Sequence, residues 1–221
     1  MLNDNIPSSQ LRDRIERLAL RSNKPSRYIG GEVGSVVKDK SGVTVRFAFC
    51  FPDTYEVGMS HLGMKILYGL KNARPEFWCE RVFAPEKDFE DAMRQNSIPL
   101  YALESLDPIR EFDFIGFTMQ YELSYTNVLN MLDLAGLEVY ARDRSENDPI
   151  VVAGGPCVCN PEPLADFFDL FILGEGEEVN LELMDLYADM KKRGFKKSEF
   201  LSSASKIEGH IKKSIFCMIK C

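Results

Sequence analysis

Residues 43–51 read Val-Thr-Val-Arg-Phe-Ala-Phe-Cys-Phe, an almost unbroken run of β-branched and aromatic side chains. A run of that length without alternation predicts a strand buried on both faces. A rhythm follows. Leu62–Leu70 predicts a helix, Arg81–Ala84 a short strand, Asp88–Arg94 a helix and Leu100–Leu103 a short strand near an edge. Phe114–Thr118 is a second buried strand, and Tyr125–Leu134 a helix that Gly136 ends. Pro149–Ala153 is a strand, Leu164–Phe168 a short helix, Asp169–Leu173 a strand and Glu178–Lys192 a helix. Upstream, apolar residues at 11, 15, 18 and 20 make Ser9–Leu20 an amphipathic helix, which Pro25 stops. Tyr28–Val37 is glycine-rich and forms a short hairpin or an arm. Strands alternating with helices predict a doubly wound, mostly parallel α/β sheet. The expected layout is helix and arm over 1–40, α/β body over 41–193 and basic tail over 194–221.

The chain has 221 residues, 45% hydrophobic and 28% charged, which excludes general disorder and allows a sizeable core. No apolar run reaches the roughly 18 residues of a membrane span, and Met1–Gln10 lacks a signal-peptide core. A cytoplasmic protein with no membrane partner is expected. The net charge is −7. Residues 191–221 carry nine Lys/Arg against two Asp/Glu, so residues 1–190 carry −14. An acidic body argues against a nucleic-acid partner, and a solvated end is the reading of the basic tail. The cysteines at 50, 79, 157, 159, 217 and 221 do not form a secreted disulfide framework. Cys157-Val-Cys159 is too tight for an ordinary zinc half-site.

In such a sheet, ligands bind beyond the carboxyl ends of the strands. Four post-strand loops therefore carry the candidate chemistry. The first, residues 51–63, holds Asp53, Tyr55, Glu56, Gly58, Met59, Ser60 and His61. His61 either ligates or donates to a ligand, or packs on the first turn of the next helix. The second offers Thr118 and Gln120, and the third the pair Gly154-Gly155, which lets a bulky ligand approach the backbone. The fourth is Gly174-Glu175-Gly176-Glu177, whose acids suit a helix N-terminus and disfavour a phosphate there. No Walker loop and no G-x-G-x-x-G is present, which weakens a plain dinucleotide fold. Asp53, Glu56, Glu175 and Glu177 as Mg²⁺ ligands of a small enzyme form a lower-ranked reading.

The motifs in order are Tyr28-Ile-Gly-Gly-Glu32, residues 51–60 (Phe-Pro-Asp-Thr-Tyr-Glu-Val-Gly-Met-Ser), Glu80-Arg-Val-Phe-Ala-Pro85, Leu103-Glu-Ser105, residues 116–122 (Gly-Phe-Thr-Met-Gln-Tyr-Glu), and residues 160–166 (Asn-Pro-Glu-Pro-Leu-Ala-Asp). With Gly154-Gly155 and residues 169–177 (Asp-Leu-Phe-Ile-Leu-Gly-Glu-Gly-Glu), the string resembles the N-terminal region of an uncharacterised group of cobalamin-domain radical SAM proteins. The resemblance covers about residues 27–209. It implies a Rossmann-like or flavodoxin-like domain gripping cobalamin at its strand ends. Loop 53–61 would lie under the corrin, Thr118 and Gln120 would meet the nucleotide tail or corrin edge, Gly154 and Gly155 would leave room for the tail, and Gly174 to Glu177 would close the far side.

Two departures shape the expectation. The cobalamin signature D-x-H-x-x-G places His two residues after Asp, whereas Asp53 is followed by Tyr55. His61 as the cobalt ligand is a side expectation. Radical SAM catalysis uses C-x-x-x-C-x-x-C to hold a [4Fe–4S] cluster. Here Cys217 and Cys221 match only the first spacing, by chance, and no barrel follows. The chain is therefore expected to be a truncated or frameshifted product, or an accessory domain encoded apart from its barrel. It would present a corrinoid to a radical SAM barrel in cis or in trans and have no catalysis of its own. The cluster and S-adenosylmethionine would belong to full-length relatives. The alternative is a flavodoxin-like interaction or regulatory module without a cofactor.

Overall fold

The computed structural model describes residues 8–207 and 211–212. Five parallel strands run in the order β2-β1-β3-β4-β5: β1 Val45–Phe51, β2 Phe77–Phe83, β3 Phe114–Thr118, β4 Ile150–Gly154 and β5 Leu170–Ile172. A sixth, β6 Ile211–Lys212, pairs antiparallel with β5. The helices are α1 Ser8–Ala19, α2 Tyr55–Ser60, α3 Leu62–Asn72, α4 Lys87–Gln95, α5 Tyr125–Leu134, α6 Gly176–Arg193 and α7 Lys197–Ala204. The doubly wound α/β fold read from the hydrophobic rhythm is present.

Topology follows from handedness. The crossover from β1 to β2 moves one way along the sheet, and that from β2 to β3 moves back past β1. Right-handed connections therefore put α3 and α4 on opposite faces. α6 packs beside α3. On the other face, Arg94 of α4 reaches Asn130 and Asp133 of α5, each at 2.7 Å. The strands are buried along almost their whole length, so their apolar runs do not alternate.

β2 begins four residues earlier than its apolar pattern suggests, because Glu80 and Arg81 interrupt that pattern. Both are buried, and each has a partner from elsewhere in the chain. Arg46 of β1 meets Glu80 at 2.5 Å, and Arg81 Nε donates to Glu104 at 2.7 Å. The Glu104 carboxylate also accepts from the Arg81 backbone N–H at 2.7 Å, and Leu103 N–H donates to the Arg81 carbonyl. The segment read as an edge strand, 100–103, thus covers the free edge of β2, which would otherwise invite pairing with another chain. Its one ladder contact is an antiparallel bridge from Tyr101 to Pro108.

The arm wraps the same edge. Tyr28 stacks on Phe89 with centroids 3.8 Å apart, and Tyr101 Oη donates to the Tyr28 carbonyl. Trp78 Nε1 donates to the Val36 carbonyl at 2.9 Å. The helix read at 164–168 is a single tight turn, Glu162–Leu164. Helix α7 has no counterpart in the periodicity reading. Its Phe200 is fully buried against Tyr187 and Phe114.

Candidate functional site

The strand order reverses direction between β1 and β3, which defines the topological switch point. A cleft of about 170 Å³ opens there, beyond the carboxyl ends of β1, β3, β4 and β5. Pockets for whole drug-sized ligands run from about 300 Å³ upward. This one suits a single arm of a large ligand.

The floor is made by strand periodicity. Phe47 and Phe49 are two apart on β1 and share a face. Gly116 of β3 lies beside Phe47, and a Cβ there would fall 2.3 Å from the Phe47 ring. The glycine is what admits the ring. Phe117, Val152, Ile172 and Leu67 complete the apolar lining.

The rim comes from the loops. Gln120 Nε2 donates to Thr118 Oγ1 at 2.6 Å, which fixes the amide and leaves its oxygen to accept. Met119 N–H donates to the Gly154 carbonyl at 2.7 Å, and Cys157 N–H donates to the Met119 carbonyl at 3.1 Å. These bonds draw the β3 and β4 loops so close that a Cβ on Gly155, at φ +97°, would fall 2.8 Å from the Met119 oxygen. On the far side, Asn180 Nδ2 donates to the Gly176 carbonyl at 2.6 Å and holds the first turn of α6 against Leu67. Glu177 and Glu178 occupy that turn, and Lys191, Lys192 and Arg193 the last one, both in accord with the helix dipole.

His61 both lines the cleft and caps α3. Its Nδ1 accepts the Met64 N–H at 3.2 Å, and its ring lies 5.3 Å from that of Phe51. A neutral ring that accepts at Nδ1 carries its proton on Nε2. A metal-ligating histidine has the reverse arrangement. In this geometry His61 offers a ligand an N–H donor.

Nine of the residues singled out in the sequence therefore meet at one cleft: His61, Thr118, Gln120, Gly154, Gly155, Gly174, Glu175, Gly176 and Glu177. Asp53, Tyr55, Glu56, Gly58, Met59 and Ser60 do not line it. The Asp53 carboxylate accepts from Thr54 N–H and from the Tyr121 hydroxyl, tying the β1 and β3 loops together. Tyr55 packs edge-on against Phe83 at 5.4 Å, and Gly58 admits the Phe83 ring. Glu56 pairs with Lys24 and Arg27 and so pins the arm, while Met59 Sδ accepts from Arg81. Ser60 Oγ donates to the Glu56 carbonyl. The four carboxylates considered for Mg²⁺ divide between these two places, and no cluster of three metal-ligating side chains occurs among the described residues. Cys157 is half-buried, and burial together with Glu122 pushes its thiol up, away from the thiolate a metal needs. Cys217 and Cys221 lie outside the described residues.

Sequence reasoning passed over Phe47, Phe49 and Asn180, and it took Gly116 only as the first residue of a motif. The signals were present: an i, i+2 phenylalanine pair, and a glycine inside a buried strand. Asn180 had no local signal.

A family model for the N-terminal region of radical SAM proteins matches residues 63–211. The chain belongs to this radical SAM N-terminal family. An uncharacterised protein of Methanocaldococcus jannaschii is 39% identical over 103 residues, covering 44% of this chain. The match spans 21% of that relative's length. No solved structure matches. The family match takes in most of the cleft, with Phe47, Phe49 and His61 lying before it. Among the described residues, no helix of this family member is long and apolar enough to cross a membrane.

Proposed function

We propose that this radical SAM N-terminal domain binds a corrinoid, with one arm in the switch-point cleft, and presents it to a radical SAM barrel. The barrel is supplied in cis in relatives or in trans, and it carries the [4Fe–4S] cluster and S-adenosylmethionine. The observation that carries the reading is the convergence of four strand-end loops, three of them glycine-bearing, on one apolar cleft at the switch point. The lining fits a large ligand of mixed polarity. Phenyl rings and aliphatic side chains form the floor, and the Gln120 oxygen and His61 Nε2–H stand at the edge. It fits a corrinoid held without a protein axial ligand. A bound corrinoid supplies group transfer at cobalt. The residues here orient the ligand.

Incubation of the purified chain with hydroxocobalamin, followed by desalting and a visible spectrum, tests the reading. Corrinoid absorbance near one per chain supports it. A colourless, folded protein overturns it and gives the lead to a flavodoxin-like interaction module. That second reading has its own observation: Leu62, the first residue of α3, and Leu123, in the turn after β3, are 68% and 87% exposed. Large apolar side chains held in water suit a partner surface.

A further inference from the structure

Lys71 is 1% exposed, on α3, one turn beyond the cleft-lining Leu67. Its Nζ lies 4.6 Å from the Phe47 ring centre and 4.7 Å from that of Phe49. These are the two rings of the cleft floor. Among the described residues, this ammonium has no hydrogen-bond partner. Every other buried lysine or arginine side chain among them has a carboxylate or carbonyl partner: Arg81 has Glu104, Arg144 has Asp169 and Phe167, and Lys197 has Asp169 and Pro149.

A buried ammonium without a partner is among the most costly groups a core can hold. Two ring faces offset part of that cost. Methionine would fill the same space with no charge to desolvate. The charges that face Nζ are few. Glu177 at the rim acts on it from a distance without bonding it, and Cys79 of β2 is a buried thiol. Burial pushes the Lys71 ammonium down to about 8, so at neutral pH it remains mostly a cation with three unused donors.

We infer that the ligand of this cleft carries an oxyanion on the arm that enters over Phe47 and Phe49, and that Lys71 donates to it. The inference rests on the cleft being a ligand site and goes further by naming the group recognised. Glu175 and Glu177 at the rim repel an anion, which favours the floor as its resting place. The four-carbon stem of lysine lets the ammonium swing toward the incoming group. The same chemistry is offered by the phosphodiester of a corrinoid's nucleotide tail and by a free organic phosphate.

The test measures binding of hydroxocobalamin, of cobinamide (the corrin without its phosphate-bearing tail) and of adenosine monophosphate to the wild-type chain and to Lys71→Met. The ¹³Cε resonance of Lys71 is followed in the wild type. Expected is binding of a phosphate-bearing probe that moves this resonance and weakens about ten- to a hundredfold in Lys71→Met, with cobinamide unaffected by the substitution. Free Lys71→Met should melt no lower than wild type, since it replaces an unpaired buried cation by an apolar chain of similar size. Binding of adenosine monophosphate alone would leave the Lys71 inference standing and remove the corrinoid reading. Equal binding of both corrinoids whatever stands at position 71 would do the reverse. If no phosphate-bearing probe moves the Lys71 resonance, or if free Lys71→Met melts well below wild type, the inference is overturned and Lys71 is a structural staple between the two rings.

Discussion

The imidazole of His61 accepts the backbone N–H of Met64 at 3.2 Å, so one side chain both starts α3 and decides which nitrogen faces the cleft. Loss of an N-cap costs about 1 kcal/mol. His61→Ala should lower stability by about that much, and His61→Asn, which keeps a cap acceptor, should recover most of it. In protein that retains a corrinoid, neither substitution should alter the lower axial signature in its visible or electron paramagnetic resonance spectrum. Loss of a histidine-ligand signature on His61→Ala would show that the ring turns over to coordinate.

Gly116 and Phe47 give a steric test of the floor. Adding a methyl group to Gly116 sets it 2.3 Å from a ring that is itself packed against Phe114 and Phe49. Overpacking of this kind costs about 1–3 kcal/mol. Gly116→Ala should lower the urea midpoint with an unchanged slope, and it should abolish retention of any ligand that reaches the floor.

The Arg81–Glu104 pair joins the edge strand to the segment that covers it. Removing one partner of a buried pair costs about 3–5 kcal/mol, because the other charge stays buried. Glu104→Ala should therefore be severe. Arg81 also donates to Ser35 at 2.6 Å. Limited proteolysis should accordingly show faster cleavage within residues 28–37 of Glu104→Ala than in wild type under native conditions.

Lys71 gives a pH dependence of unusual sign. Its ammonium sits at about 8 in the folded chain against an ordinary 10.5, because burial disfavours the charge. Between those values the unfolded chain holds a proton that the folded chain has released. Stability from this group is therefore at its lowest below pH 8 and rises as the pH climbs to 10.5. Any stability advantage of Lys71→Met over wild type in urea should be greatest near pH 7 and shrink across pH 8–10.5. A constant or widening advantage would mean that the folded chain keeps the proton.

How far the sequence reached is clearest at particular residues. The apolar runs at 43–51, 114–118 and 149–153, with the glycines at 154, 155, 174 and 176, announced buried parallel strands and the loops at their ends. Periodicity reports which faces are buried, and that was enough for the fold class; the loops that follow the strands then pointed to nine of the cleft residues. It says nothing of what lies opposite. Only the tertiary structure set β1 between β2 and β3, which brings Phe47 against Gly116 and sets Asn180 at the same cleft. It also turned residues 55–60 into a short helix that serves the arm, since Glu56 answers Arg27 and Gly58 answers Phe83, partners about 30 residues away. Glu80, Arg81 and Lys71 look like solvent residues in the sequence. Their burial rests on partners the chain supplies from far away, or, for Lys71, on two aromatic rings with its donors left open. Long-range pairing of charge and shape is not written in any local pattern, and it is what decides this site.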